Sequence, residues 1–158
     1  MKFLADAMLG KLAEWLRIFG YDTVSVADLS IVDDDYLLDM AEDEGRILLT
    51  KDKELFHNAQ KEGIQSVLVE GDDVEHQIAD LVRRKIIELR EVPSLERCPR
   101  CNGLLKPVKK SEVRGLVPMG VYMSHDEFWI CTNCGQVYWK GSHWKRMKEF
   151  VERVKKLI

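Results

Sequence analysis

The stretch Arg46-Ile47-Leu48-Leu49-Thr50-Lys51-Asp52-Lys53-Glu54-Leu55 decides the fold of the first part of the chain. Its apolar run, Ile47–Leu49, is too short for a helix and follows Gly45, so we predict a strand that is buried on both faces. After Asp52 the apolar residues resume at helical spacing. Asp52 therefore lies where a buried parallel strand passes into a helix. Open α/β sheets usually build their sites at this edge.

The rest of residues 1–92 repeats this alternation of strand and helix. Short apolar runs that predict strands alternate with segments of helical periodicity, which is typical of βαβ units and a mostly parallel sheet. Because the crossovers are right-handed, the carboxyl ends of all the strands should meet at one edge. The predicted strands cover residues 2–6, 23–26, 46–50 and 66–69.

Composition limits the class of protein. The chain has 158 residues, of which 46% are hydrophobic and 32% charged, so it has room for one domain and a small module. It has neither an apolar run that would span a membrane nor a signal-peptide pattern, so we expect a cytoplasmic protein without a membrane partner.

Charge is distributed unevenly along the chain. Residues 1–90 carry 11 basic and 20 acidic side chains, whereas residues 91–158 carry 13 basic and 7 acidic ones. This asymmetry predicts a first part that attracts cations and a second part that attracts anions. The alternative is that both are ordinary solvated surfaces.

Acidic residues follow several of the predicted strands. Carboxylates that share an edge are costly unless they share a cation, and Mg²⁺ and Mn²⁺ prefer such all-oxygen ligands. The chemistry typical of these ions is the attack of water on a phosphodiester. Candidates after strands are Asp6, Asp28, Asp52 and either Asp72 or Asp73, with Asp34 and Asp35 at a helix start.

The same residues have a second interpretation, as helix caps. Asp is a preferred N-cap and is also favoured in the first helical turn. Asp6, Asp33, Asp52 and Asp72 all precede predicted helices, so each of them alone is explained in either way. Asp6 and Asp52 are the best candidates for metal ligands because both directly follow buried strands.

All four cysteines lie beyond a linker at Pro93-Ser94, in the pairs Cys98-Pro99-Arg100-Cys101 and Cys131-Thr132-Asn133-Cys134. Two such pairs predict a zinc ion held tetrahedrally by four thiolates, which is a closed structural site. Disulfides or a redox site would require a secreted chain or one pair beside a βαβ unit. We therefore predict that residues 93–158 form a zinc ribbon whose folding depends on the metal.

Aromatic and basic residues alternate after the last cysteine. Such a string can stack on unpaired bases and hold phosphates, so it predicts RNA binding. The alternative is that the aromatic rings cover the ribbon or dock it on the first domain, and that the lysines are solvated. A basic helix over residues 145–157 should pack against the body of the protein. The candidate RNA contacts are Lys11, Lys51, Trp139, Lys140, His143, Trp144, Lys145 and Arg146.

Several of these segments resemble one known family, the Mut-seven C-terminal RNase domain, which belongs to the wider group of PIN-like nucleases. Residues 3–10, followed by 12–17, are similar to its start, and the Thr-Lys-Asp core of residues 46–55 is similar to the PIN-like third-strand motif. Residues 125–129, the second cysteine pair and residues 138–144 resemble the ribbon that follows in that family.

The resemblance implies an α/β, PIN-like domain of three layers with a mostly parallel sheet at residues 1–92, and the zinc ribbon at 93–158. It also implies a Mg²⁺- or Mn²⁺-dependent ribonuclease, in which Asp6 and Asp52 bind the metal. Glu54 stands where PIN-like motifs often have a second Asp. The catalytic residues that it implies are Asp6, Asp34, Asp52 and Asp73, with Asp72 as the alternative to Asp73.

We therefore predict an enzyme that hydrolyses single-stranded RNA. The rival prediction is a non-catalytic RNA-binding module, associated with the ribosome or another RNA–protein complex, in which the carboxylates are only caps. A phospho-receiver domain is disfavoured because it requires paired acids after the first strand, where Ala5-Asp6-Ala7 supplies only one. The RNA substrate and the oligomeric state are left open.

Overall fold

The computed structural model describes residues 1–30 and 33–158. Its first part is a four-stranded sheet with the strand order β2-β1-β3-β4, in which every pairing is parallel. The predicted α/β class and parallel sheet are therefore confirmed. The strands are β1 (Lys2–Ala5), β2 (Asp22–Ser25), β3 (Ile47–Thr50) and β4 (Ser66–Leu68), and the helices that alternate with them are α1 (Gly10–Ile18), α2 (Asp34–Glu44), α3 (Lys53–Lys61) and α4 (Val74–Arg83).

Helices cover both faces of this sheet and make three layers. Phe3 and Leu49 face the core that α1 and α4 close, whereas Leu4 and Leu48 face the core that α2 and α3 close. All four side chains are fully buried. The central strands are apolar on both faces because neither face meets water. The helices return against the strand direction, so their N-termini lie at the carboxyl edge of the sheet.

The second part is a small antiparallel ribbon. Its strands are β5 (Leu105–Val108), β6 (Phe128–Cys131) and β7 (Val137–Tyr138), and α5 (Met119–Ser124) lies between the first two. Val113, Phe128 and Val137 are the buried residues of its core. Such a small core stabilises a fold only weakly.

The last helix, α6 (Ser142–Lys155), leaves the ribbon and packs on the first domain. Phe150 stacks on Trp15 with 3.6 Å between the ring centroids, and Val151 and Val154 are buried in the core around α1 and α4. The packing expected of this basic helix is therefore present. Within the described part of the chain, neither α6 nor any other helix combines the length and the apolar character needed to span a bilayer.

The first cysteine pair is held against the edge strand β2. The Asn102 side chain accepts a hydrogen bond from the Thr23 amide (2.9 Å) and donates one to the Asp22 carboxylate (2.7 Å). The buried guanidinium of Arg17 donates to the carbonyls of Thr23 (2.9 Å) and Pro99 (3.0 Å). These bonds satisfy backbone groups of an edge strand and fix the ribbon to the sheet.

Candidate active site and cysteine cluster

Four carboxylates lie near one another at the carboxyl edge of the sheet. Asp6 follows β1 and Asp52 follows the neighbouring strand β3, while Asp34 begins α2 and Glu54 lies in the first turn of α3. Burial and the negative charges of Asp52, Asp6 and Glu54, in that order, raise the pKa of Asp34 above its usual value. We call these four residues the acidic edge.

Asp6 is the most firmly held residue of the acidic edge. It is 8% exposed, and its carboxylate accepts hydrogen bonds from the Thr50 hydroxyl (2.7 Å) and the Ala7 amide (2.8 Å). The same Thr50 oxygen accepts a hydrogen bond from the Asp52 amide (3.0 Å). One fully buried hydroxyl therefore connects the two aspartates that follow the central strands.

Sequence reasoning did not assign this role to Thr50. Thr50 is the last residue of a strand that is buried on both faces, where apolar side chains are expected. A hydroxyl at such a position needs a hydrogen-bond partner, which was the available signal.

Asp52 caps α3 and is exposed to solvent. Its Oδ1 accepts hydrogen bonds from the amides of Glu54 (2.9 Å) and Leu55 (3.3 Å). Asp33 caps α2 in the same way, through the Tyr36 amide (2.7 Å). Several predicted caps are thus present, and Asp34 is the first residue of α2, a position that the helix dipole also favours for Asp.

Asp73 is placed on the other face of the sheet. It caps α4, where its Oδ1 accepts from the His76 amide (2.9 Å) and contacts His76 Nδ1 (2.7 Å). These bonds lower the pKa of Asp73. α4 packs beside α1, on the opposite face of the sheet from α2 and α3, and Asp73 is not among the charges that, after burial, raise the pKa of Asp34. With Asp72 and Lys11 it lines a separate groove of about 610 Å³.

Asp28 is also occupied elsewhere. Its carboxylate pairs with the buried guanidinium of Arg17, which lies 3.1 Å away and also holds the first cysteine pair. A paired carboxylate of this kind needs no shared metal ion. Lys51, a predicted phosphate contact, donates to the Gly71 carbonyl (2.6 Å) and joins the end of β3 to the loop before α4.

The four cysteines form a compact cluster and are not disulfide-bonded. Cys98 Sγ lies 3.8 Å from Cys134 Sγ, and Cys101 Sγ lies 3.4 Å from Cys131 Sγ. Thiolates bound tetrahedrally at about 2.3 Å from zinc are about 3.8 Å apart, so the cluster fits that ion. Over residues 1–30 and 33–158, this is the one group of three or more potential ligands whose donor atoms all lie within 4.8 Å. The carboxylates of the acidic edge are more widely spaced.

Hydrogen bonds lower the pKa of Cys101 in this cluster, whereas burial raises that of Cys134. The Gly103 amide donates to Cys101 Sγ, and the amides of Asn133 and Cys134 donate to Cys131 Sγ. The distance from nitrogen to sulfur is 3.4 Å in each of the three bonds. Burial opposes ionisation of Cys101, but bonds from Asn133 and Gly103 lower its pKa to about 6. A thiolate is the form that binds a metal ion, so the backbone prepares the site for one.

The aromatic and basic residues after the last cysteine lie away from the acidic edge. Trp139, His143 and Trp144 line a cavity of about 250 Å³ between the ribbon and the first domain. Lys140 Nζ lies 5.1 Å from the centroid of the Trp144 ring. Lys145 and Arg146 are exposed on α6.

The fold and the two clusters together define the class of protein: a parallel α/β domain with carboxylates at one edge, joined to a ribbon with a four-cysteine metal-binding group. The model of one protein family, described as the Mut7-C RNAse domain, matches residues 1–151, which include both parts. The chain belongs to the Mut7-C RNAse domain family, as the resemblance predicted. No curated protein and no solved structure matches the chain.

Proposed function

We propose that this protein is a metal-dependent ribonuclease that hydrolyses phosphodiester bonds of single-stranded RNA at the acidic edge. The observation that carries the proposal is the placement of Asp6 and Asp52 after two neighbouring parallel strands, joined through the Thr50 hydroxyl, with Asp34 near enough that their charges, after burial, raise its pKa. Perturbed carboxylates at the carboxyl edge of a parallel sheet are typical of functional sites. Membership of an RNase domain family supports RNA as the substrate.

The donor set of the acidic edge fits a hard divalent cation. Asp6, Asp34 and Asp52 offer only carboxylate oxygens, which Mg²⁺ and Mn²⁺ prefer. Such an ion, when bound, would activate water and stabilise negative charge on the scissile phosphate. Glu54 extends the same set from the first turn of α3.

The protein's own residues would orient these oxygens. Thr50 and the Ala7 amide fix the Asp6 carboxylate, and the amides at the start of α3 fix that of Asp52. Preorganised ligands of this kind need little rearrangement when substrate and cation arrive. Asp34 is the carboxylate that gains most from a cation, because its neighbours already disfavour its ionisation.

In the cysteine cluster we expect Zn²⁺ with a structural role. Four protein thiolates leave no open coordination position, so this ion would hold the ribbon and take no part in hydrolysis. Reduced thiols of this kind are typical of the cytoplasm, which is the location that we propose.

A second candidate function is that of a non-catalytic RNA-binding module, associated with the ribosome or another RNA–protein complex. It is favoured by one observation: Asp6, Asp52 and Asp73 each cap a helical segment. Capping alone accounts for acidic residues at these positions. In this case the basic second part would bind RNA and the acidic edge would be chemically idle.

Cleavage of end-labelled single-stranded RNA by the zinc-loaded protein, with and without added Mn²⁺ or Mg²⁺, tests the proposal. We expect Asp52→Asn and Asp34→Asn to lower the rate by at least about 100-fold, the scale on which even the outer partners of metal ions matter. Asparagine preserves the cap at position 52, so helix α3 should remain folded.

Asp33→Asn is the matched control, because it removes a charge next to Asp34 and keeps the cap of α2. Asp73→Asn tests the fourth predicted catalytic residue. Equal cleavage by the wild type and by both Asp52→Asn and Asp34→Asn would show contamination and contradict the proposal. RNA binding without any cleavage would support the second candidate.

A further inference from the structure

Two cavities lie side by side between the ribbon, the segment 89–93 and α6. The first, of about 250 Å³, is lined by Trp139, His143 and Trp144. The second, of about 380 Å³, is lined by residues 89–93 and by Trp144 and Lys148 of α6. Trp144 lines both, so its ring lies at the boundary between them. We call these two cavities and Trp144 the seam.

The Trp144 ring is not what holds α6 on the first domain. That packing comes from Phe150, stacked on Trp15, and from the buried Val151 and Val154. The backbone amide of Trp144 is fixed by a bond to the Gly141 carbonyl (3.1 Å) at the start of α6. Trp144 is only half-buried, so part of its ring remains accessible to a ligand.

One basic group lies over this ring, and others line the cavity beside it. Lys140 Nζ lies 5.1 Å from the centroid and also pairs with Glu127 at 3.8 Å, while Lys148 and Arg90, the latter stacked on Tyr21, line the second cavity. Acidic groups are present too: Glu91 and Glu152 line the second cavity, and Lys155 pairs with Glu152 at 3.0 Å. In the first cavity Arg97 is shared with Asp22 at 3.6 Å. Lysines over an aromatic ring are the combination by which proteins hold unpaired bases and their phosphates.

We propose that the seam binds single-stranded RNA, with one base in each cavity and one of them stacked on the face of the Trp144 ring that Lys140 does not cover. Both cavities are near or below the lower limit of drug-sized pockets, about 300 Å³, which suits one base each. The inference depends on the proposed function for the identity of the ligand, and it assigns the place where RNA lies outside the acidic edge.

The seam lies at the opposite end of the first domain from the acidic edge. Ile18, at the end of α1, lines the first cavity, whereas Asp6 precedes the start of α1. The nine residues of α1 span about 14 Å at 1.5 Å each. A dinucleotide is therefore too short to occupy both places, and the seam should affect only longer RNA.

Fluorescence anisotropy of a labelled oligouridylate of about 16 nucleotides tests the proposal. The background is the zinc-loaded double variant Asp6→Asn/Asp52→Asn, in which binding is separated from cleavage. We expect Trp144→Ala to weaken binding about ten-fold or more, and Trp144→Phe to restore most of it, because stacking needs only an aromatic face. Tyr122→Leu is the matched control: it removes a ribbon ring that also has a lysine over it, Lys110 at 4.9 Å, but that lines neither cavity, and binding should change less than about two-fold.

Circular dichroism shows whether each variant is folded. If Trp144→Ala does not fold, Trp144→Phe still tests the proposal. In cleavage assays Trp144→Phe and Trp144→Ala should change KM for the long RNA and leave a dinucleotide substrate unaffected. Binding by folded Trp144→Ala equal to its parent, while the wild type cleaves RNA, would overturn the seam and leave the ribonuclease standing. Trp144-dependent binding without cleavage by the wild type would support the seam and overturn the ribonuclease. A naphthalene-sulfonate dye that binds apolar surfaces gives a last readout. If the dye binds at the seam and RNA does not displace it, the proposal is overturned in favour of a protein-docking groove.

Discussion

The cysteine cluster and the acidic edge are two candidate metal sites built on opposite principles. Two short knuckles supply all four sulfurs, whose donor atoms lie within 4.8 Å of one another, and backbone amides already donate to them. The acidic edge collects oxygens from a strand end and two helix starts, and Asp34 and Asp52 are exposed. The first arrangement is typical of a site that maintains a fold.

The second arrangement is typical of a site that acts on a ligand. Like charges at the acidic edge raise the pKa of Asp34, which means that the folded protein disfavours its own ionised carboxylate. Residues selected for function commonly reduce stability in this way. The comparison therefore predicts that substitutions in the two sites change stability in opposite directions.

Cys131→Ser should lower the stability of the protein more than any other substitution considered. Structural zinc contributes about 10–16 kcal/mol of apparent binding energy in zinc-finger peptides, so losing one thiolate should release the metal and unfold the ribbon. Because Asn102 and α6 join the ribbon to the first domain, the unfolding temperature of the whole chain should fall. Metal content and scanning calorimetry measure both.

Thr132→Ser is the control for this variant, because it changes the next residue of the same knuckle and keeps the hydroxyl that donates to the Leu104 carbonyl. If Cys131→Ser retained one zinc ion per chain and the wild-type unfolding temperature, the cysteine cluster would not be the structural site.

Thr50→Val should lower the stability of the protein by an intermediate amount. It keeps the shape of a fully buried side chain and removes the hydroxyl that bonds both Asp6 and the Asp52 amide. We expect a loss of about 1–3 kcal/mol in the free energy of unfolding, together with slower RNA cleavage. Thr50→Ser retains the hydroxyl and should keep most of the activity. If folded Thr50→Val and folded Thr50→Ser cleaved RNA at the same rate, Thr50 would have no role in the site beyond stability.

Patterns of neighbouring residues predicted the features of this molecule that depend on short stretches of sequence. The cysteine pairs carry their chemistry in their spacing, and the alternation of apolar runs predicted a parallel sheet and placed Asp6 and Asp52 at its edge. The pattern did not specify the strand order, and the order β2-β1-β3-β4 is what puts α4 on the face of α1. The sequence alone therefore could not tell that Asp73 and Asp34 precede or begin helices on opposite faces of the sheet.

Contacts between residues far apart in the chain could not be predicted from the sequence either. Asn102 bonds the Thr23 amide across 79 residues, and no periodicity connects a knuckle to an edge strand. Arg17 was part of the quoted family motif, but its bond to Pro99 depends on how the ribbon docks. The helical pattern of residues 145–157 predicted that this segment packs on the body of the protein, and α6 contributes Phe150, Val151 and Val154 to the core of the first domain.

Asp34→Asn should have the smallest effect, and it should be stabilising. The folded-state pKa of Asp34 is raised above the usual 3.8, so its ionised form reduces stability at neutral pH, and this cost disappears as the pH falls towards 3.8. Asparagine removes the cost. Screening at an exposed position limits the gain to less than about 1 kcal/mol, or about 2–4 °C in unfolding temperature.

Calorimetry at pH 7 and near pH 3 measures this gain, which should be present at the first and nearly absent at the second, because both folded and unfolded Asp34 are protonated well below 3.8. Added Mn²⁺ should then raise the unfolding temperature of the wild type more than that of Asp34→Asn, because an ion that binds only the folded state stabilises it. A lower unfolding temperature for Asp34→Asn at pH 7 would mean that the acidic edge carries no repulsion. The contrast with the cysteine cluster would then fail, since both sites would contribute to stability.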